Sequence, residues 1–416
     1  MREELIQRIC DEIDKRKKEI IDFTLSLVKE PSENPPGDEC KVVELIIKKC
    51  KSWGLPQPEI WCLEAHRPNL IVRIKGDGRG RSLILNAHTD TKPVGDVTEW
   101  SVDPGKPRIL NGKLYGRGSA DMKGSVAGIL AAAMAIIKGA IPFNGELIIA
   151  LTADEEAGSR FGVKVLIDRG LIADAMLITE PSGMKKSFDS LGLACRGAVL
   201  GKVVVHGTQM HSSLSDQGGC INASVKMAEV LMEFAVHLKE HLTYESHSLY
   251  PGGPTVNPGV ILEGGVFYGV IPGKASFGFD LRIIPGMTLE SVKKDIENFL
   301  YNLQKSDNDL KAELIIEAPP IDWFPSVEIE RSHPLVYSCV EAAEKVLGIS
   351  PNLMGVPFST DGIHYAKAGI DMPIVSSFGP GLIKLAHAPD EYIEVQSVVD
   401  SAKIFAITAI NYLMSS

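Results

Sequence analysis

Five acids and two histidines carry the chemistry that this chain could perform: His88, Asp90, Asp121, Glu155, Glu156, Glu180 and His387. His88 and Asp90 close residues 81–90 (RSLILNAHTD). Two apart in an extended chain, they point to the same side. The imidazole can then bind a metal through one nitrogen while the carboxylate braces the other. Taken alone, the triplet fits equally well a histidine hydrogen-bonded to a neighbouring turn. Nitrogen and oxygen donors without thiolate suit zinc, cobalt or manganese at a catalytic site. The four positive charges of two divalent ions would be cancelled by Asp121, Glu156, Glu180 and one bound hydroxide. Adjacent Glu155 and Glu156 diverge and cannot easily reach the same ion. One can therefore bind metal while the other handles the proton of the metal-bound water. By itself that pair reads as a solvated acidic loop; its place in the chain argues otherwise.

That place is set by the strands. Leu83, Ile84 and Leu85 form a short apolar run, the pattern of a strand buried on both faces of an α/β sheet. Residues 69–74, 146–152 and 176–179 are further strand candidates. Three of these segments finish in metal-binding side chains: 82–87 before His88 and Asp90, 146–152 before Asp154-Glu155-Glu156, and 176–179 before Glu180. Ligands of α/β sheets collect at the carboxyl ends of strands, and chance seldom puts acids at the same end of successive buried strands. Residues 116–124 (GRGSADMKG) feed an apolar helix ending near Ile137. They do not form a dinucleotide fingerprint, whose third glycine would stand at Asp121. Nor do they form a phosphate loop, which needs Gly-Lys-Ser/Thr where Lys123-Gly124 stand. A carboxylate there repels phosphate, so Asp121 reads as a cation ligand.

From about Leu193 the pattern changes. Strand candidates at 194–205, 255–263, 276–284 and 311–317 alternate with helices at 221–240 and 289–304, giving the β-α-β-β-α-β order of a ferredoxin-like module. In 276–284, Phe277, Phe279, Leu281 and Ile283 alternate with Ser276, Gly278, Asp280 and Arg282, so one face is expected buried and one open. The expected organisation is an α/β catalytic domain in two parts, 1–192 and 321–416, interrupted by an α+β domain at 193–320. Helices are expected up to about Val28, over 37–53, with 32–36 (SENPP) as the break, and over 395–414.

Length and composition fit this plan. The 416 residues favour two domains, and 44% hydrophobic with 23% charged residues is a soluble globular composition. A formal net charge of -10 disfavours nucleic acid or an anionic membrane as partner. The seven cysteines show no zinc or redox spacing and read as reduced thiols of a cytoplasmic protein. The N-terminus lacks a signal-peptide core. The apolar segment 126–137 is too short to span a bilayer.

The chain resembles the co-catalytic zinc amidohydrolases that include acetylornithine deacetylase, succinyl-diaminopimelate desuccinylase, aminoacylase and glutamate carboxypeptidase. The resemblance rests on Asn86-Ala87-His88-Thr89-Asp90, residues 116–124, 154–158, Thr179-Glu180-Pro181 and 379–387, in an order covering nearly the whole chain. It implies a zinc-exopeptidase-like catalytic domain with a ferredoxin-like lid that forms a homodimer. It also implies two divalent ions, zinc with cobalt or manganese as alternatives: Asp121 bridging, His88 and Glu180 on one ion, Glu156 and His387 on the other. Glu155 would be the general acid/base and Asp90 the brace of His88. In the lid, His211 with Ser212-Ser213, Gly218-Gly219 and Asn222 resembles the histidine that steadies the oxyanion. Arg282 resembles the arginine that grips a substrate carboxylate, against the alternative of an exposed strand-face arginine. Asn257 and Asp361 join it as candidates for substrate binding. Several deacylases continue the stretch Ser359-Thr360-Asp361-Gly362 with an arginine, where Ile363-His364 follow here; this leaves the acyl preference open. The implied activity is hydrolysis, by a metal-bound hydroxide, of the amide of an N-acyl amino acid. A metallo-carboxypeptidase or dipeptidase is the alternative. A non-catalytic relative would have lost a ligand or the general base, and none is missing.

Overall fold

Ser82–His88 lies inside a six-stranded mixed sheet ordered Glu59–Trp61, Asn69–Lys75, Glu146–Thr152, Ser82–His88, Ala175–Ile178, Ile374–Val375. The last four strands are mutually parallel, with Ser82–His88 registered residue for residue on Glu146–Thr152. Leu83, Ile84 and Leu85 are fully buried, as their uninterrupted apolar run requires of a strand covered on both faces. The computed structural model describes residues 2–216, 218–319 and 322–415. The chain divides into two units: Cys195–Val327 with Pro357–Ser359 form the second, and the remainder forms the first.

In the first unit the helix Gly124–Lys138 is buried from Gly124 to Ile136. Its apolar run is that of a core helix, packed on the C-terminal helix Val395–Met414. The two approach closely at Gly128, where a Cβ would stand 2.2 Å from Ser401 Oγ. A larger residue there would have to displace the Ser401 hydroxyl and crowd Phe405. The expected N-terminal helix is in fact two, Arg2–Asp14 and Lys17–Lys29; each buries its own isoleucine and leucine stripe. The helix Cys40–Trp53 ends at left-handed Gly54.

The second unit has the ferredoxin-like arrangement. Its strands are ordered Thr255–Gly264, Lys274–Ile283, Gly197–His206, Lys311–Ile316, all neighbours antiparallel. Two helices pack on it, Ala223–His241, capped by Asn222, and Leu289–Ser306, which carries a Thr288–Ser291 capping box. Phe234 of the first helix meets Phe277, Phe279 and Phe299 with ring centroids 5.4, 5.3 and 6.2 Å away. That cluster is the buried face expected from the alternation. The opposite face is less open than expected. Ser276 donates to Glu263, and the position a Gly278 Cβ would take lies 3.2 Å from the Ile261 Cβ; only Asp280 and Arg282 are half-exposed there.

Candidate metal centre

The parallel strands bring their carboxyl ends to one edge of the first unit. His88 is the last residue of its strand, Glu155 and Glu156 follow Glu146–Thr152, and Glu180 follows Ala175–Ile178. Two short pairings add the remaining ligand candidates. Pro181–Gly183 runs parallel to Gly379–Leu382, and Lys113–Tyr115 pairs antiparallel with Tyr392–Glu394. Together they hold the loop of His387 against the turn Ser119–Lys123 that carries Asp121.

His88 Nδ1 donates to the Asp90 backbone oxygen at 3.0 Å. The lone pair of Nε2 therefore faces outward, 3.0 Å from Asp121 Oδ1 and 3.4 Å from Glu180 Oε1. On the other side, His387 Nε2 lies 3.2 Å from Asp121 Oδ2 and 3.1 Å from Glu156 Oε2. Asp121 thus offers one oxygen to each set. The donor atoms within each set, His88/Asp121/Glu180 and Asp121/Glu156/His387, lie within 4.8 Å of one another. Buried electron-pair donors converging this closely need positive charge among them. Protons can supply it. Burial opposes charge on His88, yet Glu180, Asp121 and Asp90 outweigh it and hold the ring well above its usual pKa. Burial and then Asp121 push Glu180 up to about 7. The same nitrogen and oxygen donors, without thiolate, fit divalent ions.

Asp90 does more than face His88. Its carboxylate accepts from Asn34 Nδ2 at 2.8 Å and from the backbone N–H groups of Glu155 at 3.2 Å and Glu156 at 3.1 Å. One acid thus ties the histidine to the paired glutamates. Glu155 is half-buried. Burial, with Glu180, Asp361 and Glu156 adding to it and His88 opposing, holds its carboxyl well above the usual range. A carboxyl group beside the two ligand sets is placed to take a proton and return it.

The loop carrying Glu155 and Glu156 is clamped by residues that sequence reasoning missed. Asn69 accepts from Ala153 N and donates to the Phe161 carbonyl, at 3.0 and 2.7 Å. Arg67 donates to Asp154 Oδ1 at 3.0 Å and grips Glu39 with two bonds of 2.9 Å. Asn34 bridges Asp90 and Asp154. Gly37, at φ +81°, lies so close to Arg67 that a Cβ would stand 2.2 Å from Nη1. A second buried pair supports the other ligands. Glu391 accepts from the backbone of Gly118, Ala120 and Asp121, and Arg117 joins Glu391 to the carbonyls of His387 and Ala388.

Asp361, expected at the substrate, is 2% exposed and accepts from Thr152 Oγ1 at 3.0 Å and Ser159 Oγ at 2.6 Å. Each oxygen takes one bond from an end of the Glu155 loop and braces it. The other three candidates lie in the second unit. His211 is exposed in the short strand Met210–His211, paired with Val270–Ile271. Its Nδ1 accepts from Ser213 N–H at 3.2 Å, which leaves Nε2 as the donor of the neutral ring. Arg282 and Asn257 meet around Asp280: Arg282 Nη2 donates to Asp280 Oδ2 at 2.8 Å, and Asn257 donates to the Asp280 carbonyl at 3.1 Å.

Residues 84–411 match the model of peptidase family M20/M25/M40. The chain belongs to that family. Among its M20 relatives, the N-formyl-4-amino-5-aminomethyl-2-methylpyrimidine deformylase of Halalkalibacterium halodurans is 26% identical, covering 96% of this chain and 95% of the relative. The Bacillus subtilis deformylase of the same description is 27% identical, covering 96% of both. An M20 metallo-carboxypeptidase from Sulfolobus solfataricus shares the fold, with a TM-score of 0.75 at 19% identity over 95% of this chain and all of that one. This chain is an M20 metallohydrolase, and its candidate metal-binding residues are grouped in two sets.

Proposed function

We propose that this M20 hydrolase removes a short acyl group from an N-acyl amine, an N-acyl amino acid above all, at a pair of zinc ions. The observation that carries the reading is Asp121, which offers one oxygen to each of two His/Glu sets with Glu155 beside them. The deformylase relatives support amide cleavage as the reaction. Bound ions would polarise the amide carbonyl and lower the pKa of water toward 7; cobalt or manganese could serve in the same donor set. His88, Asp121 and Glu180 would hold one ion, and Asp121, Glu156 and His387 the other. Glu155 takes the proton of the attacking water and returns it to the leaving amine. Asp90 keeps His88 in the tautomer that points Nε2 outward. His211 donates from Nε2 to the oxyanion, and Arg282 with Asn257 receives a substrate carboxylate. The family's peptidase name keeps carboxypeptidase or dipeptidase activity as the second reading.

The test is one assay matrix. Formyl, acetyl and succinyl amino acids, N-formylated heteroaromatic amines and dipeptides are offered before chelation, after it, and after zinc, cobalt or manganese is returned. Acyl substrates should be cleaved, chelation should abolish turnover, and metal should restore it. His211→Ala in the same matrix should lower kcat with KM held. Full activity in verified metal-free protein would refute the reading, and cleavage of dipeptides alone would move it to the peptidase branch.

The chain is also read as a cytoplasmic homodimer joined through its second unit. The strand Thr255–Gly264, at the edge of its sheet among the described residues, leaves Val260, Ile261 and Leu262 more than half exposed, an apolar edge of the kind that recruits another chain. Sedimentation equilibrium should give twice the chain mass. Leu262→Lys should shift it toward monomer; a wild-type monomer would overturn this assembly.

A further inference from the structure

The two ligand sets are chemically alike, since each joins one histidine and one glutamate to the shared Asp121. Their surroundings differ. In the set of His88, Asp121 and Glu180, the three side chains are 1%, 8% and 8% exposed. Among the described residues, neither Asp121 nor Glu180 has a lysine or arginine partner within ion-pair distance. The other set is open, with His387 49% exposed, and it has a cation beside it. Lys92 Nζ lies 3.4 Å from Glu156 Oε2 and donates to the Glu156 backbone carbonyl. The Lys92 backbone N–H donates to Glu156 Oε1 at 3.2 Å. Glu156 Oε2 is the same oxygen that faces His387 at 3.1 Å. The acid that should receive an ion therefore already shares its inward oxygen with an ammonium group.

We propose that Lys92 is a built-in competitor for the second divalent ion and makes this chain's two metal positions unequal. The inference rests on the reading of both sets as metal sites. The His88–Asp121–Glu180 position fills first and holds its ion tightly. Filling the Asp121–Glu156–His387 position places a double charge a few ångströms from the Lys92 ammonium. Like charges at that separation repel strongly unless water screens them. Lys92 is 36% exposed, so its stem can swing the charge outward at a cost that weakens the second ion. The lysine also neutralises Glu156 when only one ion is bound, which keeps the half-loaded site assembled.

The experiment titrates metal-depleted full-length protein with cobalt alone, followed by calorimetry and by the visible absorption of bound cobalt. Wild type should show two binding phases whose dissociation constants differ by at least about tenfold, from the added like-charge repulsion. Lys92→Met keeps the apolar stem and removes the charge; it should tighten the second phase by at least about tenfold and leave the first unmoved. Lys92→Arg keeps the charge and should keep two separate phases. Lys92→Gln, with thermal unfolding curves for each variant, guards against a fold defect in Lys92→Met. Equal phases in wild type, or a second phase indifferent to both neutral variants, would overturn the proposal. So would a rise in KM with ion affinities unchanged, which would assign Lys92 to the substrate. Two cobalt ions bound with unequal affinity but unmoved by Lys92 would leave the metal reading standing and this inference refuted. No cobalt bound by any variant would remove both.

Discussion

Glu155→Gln should retain full metal content and lose turnover by ~10²–10⁴-fold. The amide is nearly isosteric with the acid and cannot accept a proton. Nothing in the two ligand sets uses the Glu155 side chain, and its backbone N–H stays bonded to Asp90. The loop should therefore keep its shape. The neighbouring Glu156→Gln should behave differently, because Glu156 Oε2 faces His387 in the second set. That variant should lose one ion per chain and recover part of its activity in excess metal. Elemental analysis beside kcat on one acyl substrate separates the two. Metal lost in the first variant and kept in the second would reverse the assignments of the adjacent glutamates. Full activity in Glu155→Gln would remove it from proton transfer altogether.

How far the sequence reveals this site depends on the range of the interactions that build it. Strand cores such as Leu83–Leu85 and the run 146–152 advertise themselves by uninterrupted hydrophobicity, and a parallel sheet then fixes which ends carry the chemistry. The ferredoxin-like unit is legible for the same reason, its helix and strand periods alternating cleanly over some 120 residues. Its limits are less so. Residues 320 and 321, where one boundary is expected, lie outside the described residues; the second unit runs from Cys195 to Val327 with Pro357–Ser359, Trp323–Phe324 pairs onto its first strand, and a two-residue strand leaves no period to read. The supporting polar residues are harder still. Asn34, Glu39 and Arg67 are brought to Asp154 from 87 to 120 positions away, and no local pattern marks a buried arginine as a clamp. The nearest signal is Arg67-Pro68-Asn69, two polar side chains flanking a proline at the start of an apolar strand. For Asp361 the converse holds: an acid in a polar stretch looks exposed, and only the fold shows it buried and accepting from Thr152 and Ser159.

Arg67→Met should cost stability more than any surface change and should reach the active centre without touching it. The guanidinium is 3% exposed, between Glu39 at 0% and Asp154 at 5%. Burial already pushes Glu39 up to about 7 with Arg67 in place. Removing one partner of a buried pair leaves an uncompensated charge and costs about 3–5 kcal/mol. The urea midpoint should fall accordingly at an unchanged slope. Arg67→Lys should restore little, since an ammonium cannot span Glu39 and Asp154 as the planar fork does. The double variant Glu39→Gln/Arg67→Met should recover part of the loss, because it deletes one of the two carboxylates that Arg67 neutralises and leaves Asp154 with Asn34 and the Phe161 N–H. The functional consequence follows from connectivity. Asp154 holds Phe161 N at 3.0 Å and, through Asn34, is tied to Asp90, which bonds the backbone of Glu155 and Glu156. Loosening Arg67 should therefore lower kcat through the position of Glu155 while KM stays near its original value. A stable Arg67→Met protein with normal kcat would show that the Asp90 and Asn69 contacts suffice to place Glu155, and that the buried arginine serves the N-terminal segment alone.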